Sequence, residues 1–514
     1  MTADDDDDNK NNIYANSSSN PSSPLHVVVI VLGDVGRSPR MQYHAQSLVK
    51  NGHTVSLVGY NGEKLIPALH QIQDQGKGRL NVVRFTVPSL PSKLSNILPI
   101  YLLWRITAMC LCLCRALFVG VPNGLKRSSS SSSSSNSKSS PSAQSSPSPK
   151  LVDCVLVQNP PAVPLLAVVY FYSICQGFFY KHKPAIVIDW HNLGFTMLAK
   201  TPVFATVARV YEQLMAPRAT AHLCVTDAMK SFLVKQFGIR AESISVLNDC
   251  PNEMFRPFPI KDNHELLSRL HGKLCSACPR SWYEHIDPTQ QTLFTEIDTK
   301  GKCSPRPGRP ALVTSSTSWT PDEDFDPLLL ACMRLDKHIT DDKESSLKVI
   351  VVVTGKGPRK SYYEHQISLL KLQNVVIQTL WLEPGDYPRL LSCADVGVSL
   401  HTSTSGIDLP MKILDLFGCQ VPVCAVNFQC LPELVEDNVN GCIFETSIQL
   451  EEQLWGLLSP LDKYFGAWPP HGYGDLARFS RSLQGRKRWD EEWDVNAKPV
   501  ILSAAASAIS SSSA

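Results

Sequence analysis

The sequence predicts an α/β chain built as two doubly wound domains with parallel sheets, facing a central cleft. Three observations carry this. Apolar, β-branched runs without polar alternation recur along the chain, His26–Leu32 first, as strands buried on both faces read. Helical stretches lie between most of them, as parallel pairing requires. The alternation also occurs twice, in blocks separated by a polar, proline-rich stretch over 259–308.

Block one begins at Leu25. His26–Leu32 leads into a Gly33-Asp34-Val35-Gly36 turn, and Pro39 opens a helix ending near Asn51-Gly52, with proline at the start and glycine past the end. Strands are expected at Thr54–Tyr60, Asn81–Val87, Cys154–Gln158, Ala185–Asp189, Ala221–Val225 and Ser243–Leu247. Block two repeats the pattern at Ala311–Thr314, Lys348–Thr354, Val375–Gln378, Asp395–Leu400, Pro422–Ala425 and Cys442–Phe444. The expected plan is a disordered tail (1–24), a first domain (25–258) with a disordered Ser-rich insertion (127–149), a variable linker (259–308), a second domain (309–490) and a C-terminal tail (491–514). Ligands of such folds sit at the carboxyl ends of the strands.

The 514 residues carry 49 Lys+Arg against 47 Asp+Glu, a formal charge of +2. That balance speaks against general nucleic-acid binding, and no nucleic-acid partner is expected. The 16 cysteines have no repeated ligand spacing. Cys275 and Cys278 form a single CxxC pair, short of the four ligands of structural zinc. No metal ligand set and no tightly bound cofactor is read, and free thiols in a reducing compartment are expected. The acidic run Asp4–Asp8 is the opposite of a signal peptide's basic start, so the body is expected to face the cytosol. Ile97–Val121 is long enough to span a bilayer but holds Arg105 and Arg115. At about 100° per residue the two arginines fall on one side. The segment reads as an interfacial helix or as an ordinary helix covering the sheet. Ala162–Tyr180 reads as a buried crossover helix.

In Gly33–Arg40, Gly33, Gly36 and a helix start present backbone N–H groups. Arg37 and Arg40 add donors suited to phosphate; a tight strand–helix turn also accounts for the glycines. After a strand end, His191 of Asp189-Trp190-His191-Asn192 suits taking a proton from a sugar hydroxyl, or fixing its loop. Pro321 and the acidic cluster Asp322–Asp324 read as a helix start. Gly355-Lys356-Gly357-Pro358 suits phosphate, but the terminal K-[ST] of a P-loop is missing, which excludes an ATPase. Ser399–Gly418 runs from a strand through a hydroxyl-rich loop (Thr402, Ser403, Ser405, Gly406) to a helix with Lys412 and Asp415 on one face. Lys412 suits a diphosphate, and Asp415 or Asp408 suits ribose hydroxyls; a solvated Lys–Asp pair is the plainer account.

Taken together, VLGDVGRSPRMQYHA (31–45), VQNPP (157–161), IDWHN (188–192), SSTSWTPDEDF (315–325), TGKGP (354–358), SCADVGVSLHTSTSGIDLPMK (392–412) and FGCQVPVCAVNFQCLPELV (417–435) resemble the chitobiosyldiphosphodolichol β-mannosyltransferase family. The resemblance covers most of 25–490. It implies a GT-B type fold, with two Rossmann-like domains facing a central cleft. It implies transfer of the first, β-1,4-linked mannose from GDP-mannose to dolichol-diphosphate chitobiose, at the cytosolic face of the endoplasmic reticulum membrane. Other mannosyltransferases of lipid-linked oligosaccharide assembly are further expected partners. An α-linked donor and a β-linked product mean inversion, with His191 the first choice of base and Asp34 the second. Gly33, Gly36, Arg37 and Arg40 would then meet the acceptor phosphates. Gly355, Lys356, Gly357, Thr402, Ser403, Ser405, Gly406, Asp408, Lys412 and Asp415 would meet the donor. The sequence departs from the family at Asn248, where a tyrosine is usual. The competing readings are a transferase using another nucleotide sugar and a non-catalytic scaffold of the same pathway.

Overall fold

A computed structural model describes residues 23–74, 79–89, 98–122, 151–320, 323–403, 405–462, 468 and 473–513. The tail expected over 1–24, except its last two residues, and the insertion expected over 127–149 lie outside them. The chain forms two compact units, one of Met1–Asn248 with Trp489–Ala514, the other of Asp249–Arg488.

The first unit holds a seven-stranded parallel sheet. Its strands are β1 (His26–Asp34), β2 (Thr54–Tyr60), β3 (Leu80–Phe85), β4 (Cys154–Asn159), β5 (Ala185–Trp190), β6 (Ala221–Cys224) and β7 (Ile244–Val246). The order is β3-β2-β1-β4-β5-β6-β7, so the direction of winding reverses between β1 and β4. Val27–Ile30 are fully buried, as a strand covered on both faces requires. Between strands lie α1 (Pro39–Lys50), α2 (Pro67–Asp74), α3 (Leu98–Arg115, continued by a π turn over Ala116–Gly120), α4 (Leu165–Tyr180), α5 (Pro202–Met215) and α6 (Asp227–Phe237). Parallel crossovers are right-handed. The leftward steps β1-β2-β3 therefore put α1 and α2 on one face, and the rightward steps from β3 to β7 put α3 to α6 on the other. The helix expected to be a buried crossover, α4, buries Leu165, Leu166 and Val169 but exposes Phe171, Ile174, Phe178 and Phe179.

The second unit opens with residues expected to be a linker. That expectation is corrected: α7 (Ile260–Cys275) and the hairpin β8 (Thr295–Ile297)–β9 (Cys303–Pro305) belong to the unit. Leu266, Leu267, Leu270 and Leu274 recur along one side of α7 and fill the core beside Val352, Leu390 and Phe417. At about 1.5–3 kcal/mol per buried side chain, four leucines outweigh the polar composition that made the stretch look unstructured. The parallel sheet follows: β10 (Ala311–Ser316), β11 (Val349–Thr354), β12 (Val375–Leu380), β13 (Val396–Ser399), β14 (Val423–Val426) and β15 (Gly441–Phe444). Its order is β12-β11-β10-β13-β14-β15, with the reversal between β10 and β13. The helices are α8 (Asp326–Asp341), α9 (Lys360–Leu369), α10 (Tyr387–Cys393), α11 (Met411–Gly418), α12 (Ser447–Leu458) and α13 (Gly474–Ser482). The helix expected to open at Pro321 begins instead at Asp326; Pro321 and Asp322 lie outside the described residues.

The chain then returns to the first unit as α14 (Trp489–Asn496) and α15 (Lys498–Ser513). The expected tail is thus helical and packed. Trp493, Ala497, Ile501 and Ala505 are buried, with α14 on α1 and α15 on β4, β5 and β6. The small residues that read as a low-complexity tail let α15 lie close to the sheet.

Candidate active site

In the first unit, β1 ends in Asp34. Its carboxylate accepts from the backbone N–H of Gly36 and of Glu63, each at 2.9 Å. A Cβ on Gly36 would stand 2.5 Å from the Glu63 carbonyl oxygen, and one on Gly62 would stand 2.2 Å from the Asp34 carboxylate. Two turns interlock here, and the interlocking accounts for Gly36. Asp34, the second candidate base, is held as the staple of these turns. Arg37 is exposed and pairs with Glu63 at 3.1 Å, a contact worth at most about 1 kcal/mol and readily exchanged for a ligand. Gly33 precedes Asp34 with room beside it.

Arg40, expected to meet phosphate, is buried and committed to protein. Its guanidinium grips Asp189 with two hydrogen bonds, Nε to Oδ2 at 2.9 Å and Nη2 to Oδ1 at 3.0 Å. The same carboxylate accepts from Nε2 of His191 at 2.9 Å and from Nε2 of His44 at 3.1 Å. Burial alone would raise the Asp189 carboxyl; Arg40, His191 and His44 outweigh it and hold the group well below the usual carboxylate range. Burial pushes His44 down, so it is the neutral imidazole at neutral pH. Trp493 of α14 donates to His44 Nδ1 at 3.0 Å, which leaves the proton on Nε2, facing Asp189. The ring of Trp489 lies 5.5 Å from the Arg40 guanidinium, and its indole N–H donates to Ser47 at 3.0 Å.

His191 is oriented accordingly. Asp189 takes its Nε2–H, which leaves Nδ1 as the lone-pair nitrogen on a side chain 23% exposed. A carboxylate behind an accessible imidazole orients a general base and stabilises it once protonated. The His191 backbone N–H donates to the Asn159 carbonyl at 2.8 Å. Buried Glu212 of α5 accepts from the Asn159 amide at 3.1 Å and the Gly194 N–H at 3.0 Å. Glu212 thus ties the end of β4 to the loop that follows β5, and burial raises its carboxyl.

In the second unit, the loops after β10 and β11 press together. Gly355 has φ +135°, and a Cβ there would lie 1.8 Å from the Thr317 carbonyl oxygen; at Gly357 it would lie 1.8 Å from that of Ser318. Both glycines are demanded by this backbone contact. Lys356, expected at phosphate, is exposed with its ammonium 3.8 Å over the Trp381 ring, a cation–π contact.

The centre of this region is Glu323, a residue the sequence reading placed in a helix start. Its buried carboxylate accepts from Thr317 Oγ1 at 2.6 Å, the Ser318 N–H, His401 Nδ1 at 3.4 Å and the Lys412 ammonium. Burial would raise it; the hydrogen bonds from His401, Lys412 and Thr317 win and hold it well below its usual range. The Lys412–Asp415 pair, the plainer account of these two residues, does not form. Lys412 turns to Glu323, while Asp415 turns inward, and among the described residues its carboxylate takes no hydrogen bond. Burial pushes Asp415 up to about 7.

The hydroxyl loop is bonded to itself. Asp408 accepts from Ser405 at 2.9 Å and from Ser403, whose own oxygen accepts from the N–H groups of Ser405 and Gly406. Gly406 has φ +76°, a conformation glycine adopts freely. Thr402 is exposed. The loop delivers the chain to α11, whose N-cap is Pro410, without a side-chain cap. The partly exposed Lys412 stands at the start of this helix, after β13 and beside the β10/β13 reversal.

Residues 297–462 match the family described as glycosyl transferases group 1. The chain is 37% identical over 494 residues to the chitobiosyldiphosphodolichol β-mannosyltransferase of Mus musculus, covering 93% of this chain and 89% of the relative. It is 36% identical to the UDP-glycosyltransferase TURAN of Arabidopsis thaliana, covering 92% and 96%. The chain belongs to the chitobiosyldiphosphodolichol β-mannosyltransferase family. It is a glycosyltransferase of the GT-B fold. A solved Anabaena structure, Alr3699/HepE in complex with UDP and glucose, superposes with TM-score 0.53 at 14% identity, covering 95% of this chain and all of that one.

For this β-mannosyltransferase family member, the group 1 segment contains Glu323, Gly355, Gly357, His401, Lys412 and Asp415. Of the residues singled out in the sequence, the fold brings Arg40 to the Asp189–His191 pair but leaves Arg37 and Asp34 in a neighbouring turn. Glu323, His401, His44, Glu212 and Trp493 were missed. Glu212 had a weak signal, as the one acid in an apolar helix. Trp493 had none, since its partner lies 449 positions away. Among the described residues, no group of three or more His, Cys, Asp or Glu is placed to hold a metal.

Proposed function

We propose that the chain transfers mannose from GDP-mannose to the terminal sugar of dolichol-diphosphate chitobiose, with inversion, at the cytosolic face of the endoplasmic reticulum. Similarity to named mannosyltransferases over nearly the whole chain supports the substrate class. The observation that carries the mechanism is the 2.9 Å contact between Asp189 and His191. His191 Nδ1 takes the proton of the acceptor O4 hydroxyl as that oxygen bonds to mannose C1. The bond from C1 to the diphosphate breaks, and GDP leaves with the electron pair. Inversion follows from a single displacement. Lys412 and the first N–H groups of α11 oppose the charge growing on the leaving diphosphate. Ionic Glu323 holds the Lys412 ammonium in place.

The test supplies purified protein with GDP-mannose and phytanyl-diphosphate chitobiose, with and without added Mg²⁺ and EDTA. Mass spectrometry and β-mannosidase digestion of the product are the readouts. One added hexose, removed by β-mannosidase, is expected; no product beside an active control enzyme sinks the reading. The relative named a UDP-glycosyltransferase favours a second reading, another nucleotide sugar. UDP-sugars in parallel reactions separate the two.

A further inference from the structure

Helices α3, α4 and α5 share one face of the first sheet and are held side by side. Phe118 meets Phe171 and Tyr172, with ring centroids 6.2 and 5.0 Å apart. The Ala167 N–H donates to the Tyr211 hydroxyl, and the Tyr170 hydroxyl donates to the Met215 carbonyl, both at 2.9 Å. Each helix carries an outward apolar stripe. On α3 it includes Trp104, Leu111 and Phe118; on α4 it is Phe171, Ile174 and Phe178, with Phe179 beside it; on α5 it is Val203, Val207, Val210 and Leu214. Phe178 is 80% exposed and Val203 73% exposed. Apolar surface of this extent needs a partner.

The charges say which kind. Across 98–122, 165–183 and 195–218 the single acidic residue is Glu212, and it is buried. The same segments carry Arg105, Arg115, Lys181, Lys183, Lys200, Arg209 and Arg218, all but Arg105 exposed. A second copy of this face would set cations against cations. Anionic headgroups around an apolar layer match both features.

Tyr101–Gly120 is long and apolar enough to cross a membrane, but its C-terminal half packs on the unit. Leu113, Ala116, Leu117 and Val121 are buried against the unit, Cys112 Sγ contacts the Thr86 carbonyl at 3.7 Å, and Gly120 sits against Val83. One side of this helix is protein core, so lipid can meet only the other.

We propose that α3, α4 and α5 together form a docking face for a phospholipid surface bearing anionic headgroups, with the apolar stripes seated in the interface and no helix of the three spanning it. The proposal deepens the reading of a lipid-borne acceptor and rests on it for the partner's identity. Binding is therefore measured apart from turnover. Full-length protein is sedimented with phosphatidylcholine vesicles, with and without phosphatidylinositol, and released from them with alkaline carbonate. Preference for the anionic vesicles, loss of that preference at high salt, and carbonate release are expected. Phe178→Ser with Phe179→Ser should weaken binding about tenfold or more, and Lys181→Glu with Lys183→Glu should abolish the anionic preference. Both variants should melt like wild type and turn over a water-soluble short-chain acceptor normally. Unchanged vesicle binding by both variants, resistance to carbonate, or a dimer in solution that the Phe178→Ser, Phe179→Ser variant converts to monomer would overturn the proposal. Failure of turnover with binding intact would count against the enzymatic reading alone.

Discussion

Trp493 donates its indole N–H to Nδ1 of His44 at 3.0 Å, so α14, 449 positions away, sets the tautomer of a histidine in the first helix. That tautomer points Nε2–H at Asp189, the carboxylate that also orients His191. Trp493→Phe keeps most of the packing and removes the donor. One lost hydrogen bond to a buried acceptor is about 1–1.5 kcal/mol, and kcat should fall up to about tenfold with KM little changed. If melting drops while kcat holds, Trp493 is structural only.

His191→Ala should lower kcat by about 10²–10⁴, the usual worth of a positioned base. The KM for GDP-mannose should stay within about twofold, because the proposed role does not include holding the donor. Steady-state kinetics on both substrates decide it, and near-normal turnover removes His191 as the base.

Lys412→Ala removes the cation proposed to face the leaving group and leaves Glu323 as a buried charge with fewer partners. Charged hydrogen bonds are worth about 1.5–3 kcal/mol. The kcat/KM for GDP-mannose and the affinity for GDP should each fall roughly 10- to 100-fold. Lys412→Arg should recover part of both. Calorimetric titration with GDP tests this; unchanged GDP binding misplaces the donor site.

Gly355→Ala and Gly357→Ala each drive a methyl to within 1.8 Å of a carbonyl oxygen. One of the loops must then move, and at Gly355 the φ of +135° adds strain of about 1–3 kcal/mol. Both variants should melt several degrees lower and bind GDP more weakly. An equally stable Gly357→Ala would mean that the two loops are not locked together.

Asp415 gives stability a particular pH dependence. Its carboxyl sits near 7 in the folded chain and near 4 once unfolded. Between those values the folded state holds a proton that the unfolded state has lost, so stability falls as pH rises from about 4 to about 7. Three pH units correspond to at most about 4 kcal/mol. Asp415→Asn should remove that decline and be more stable than wild type at pH 8, with little difference at pH 4. Parallel melting curves across the range would contradict the burial argument.

Part of the site was legible because its signals are local. Asp189 and His191 are two positions apart at a strand end, and Gly355 and Gly357 share one turn. Lys412 was found for its charge at a helix start. Its partner was not legible, because Glu323 lies 89 positions away, while Asp415, three residues on, offered only the plainer pairing. Arg40 was misjudged similarly, since its buried partner Asp189 is 149 positions distant.

Periodicity and turn chemistry along the chain determined the strands, their parallel winding, the two-sheet architecture and the loops that carry polar groups, because neighbours a few residues apart dictate those features. Only the tertiary structure decided which charge answers which, that 260–275 is core, that α14 returns to buttress His44, and that one side of α3 packs on the unit. Pairing of buried charges and burial of one helix side depend on three-dimensional distance, and a linear reading holds no measure of it.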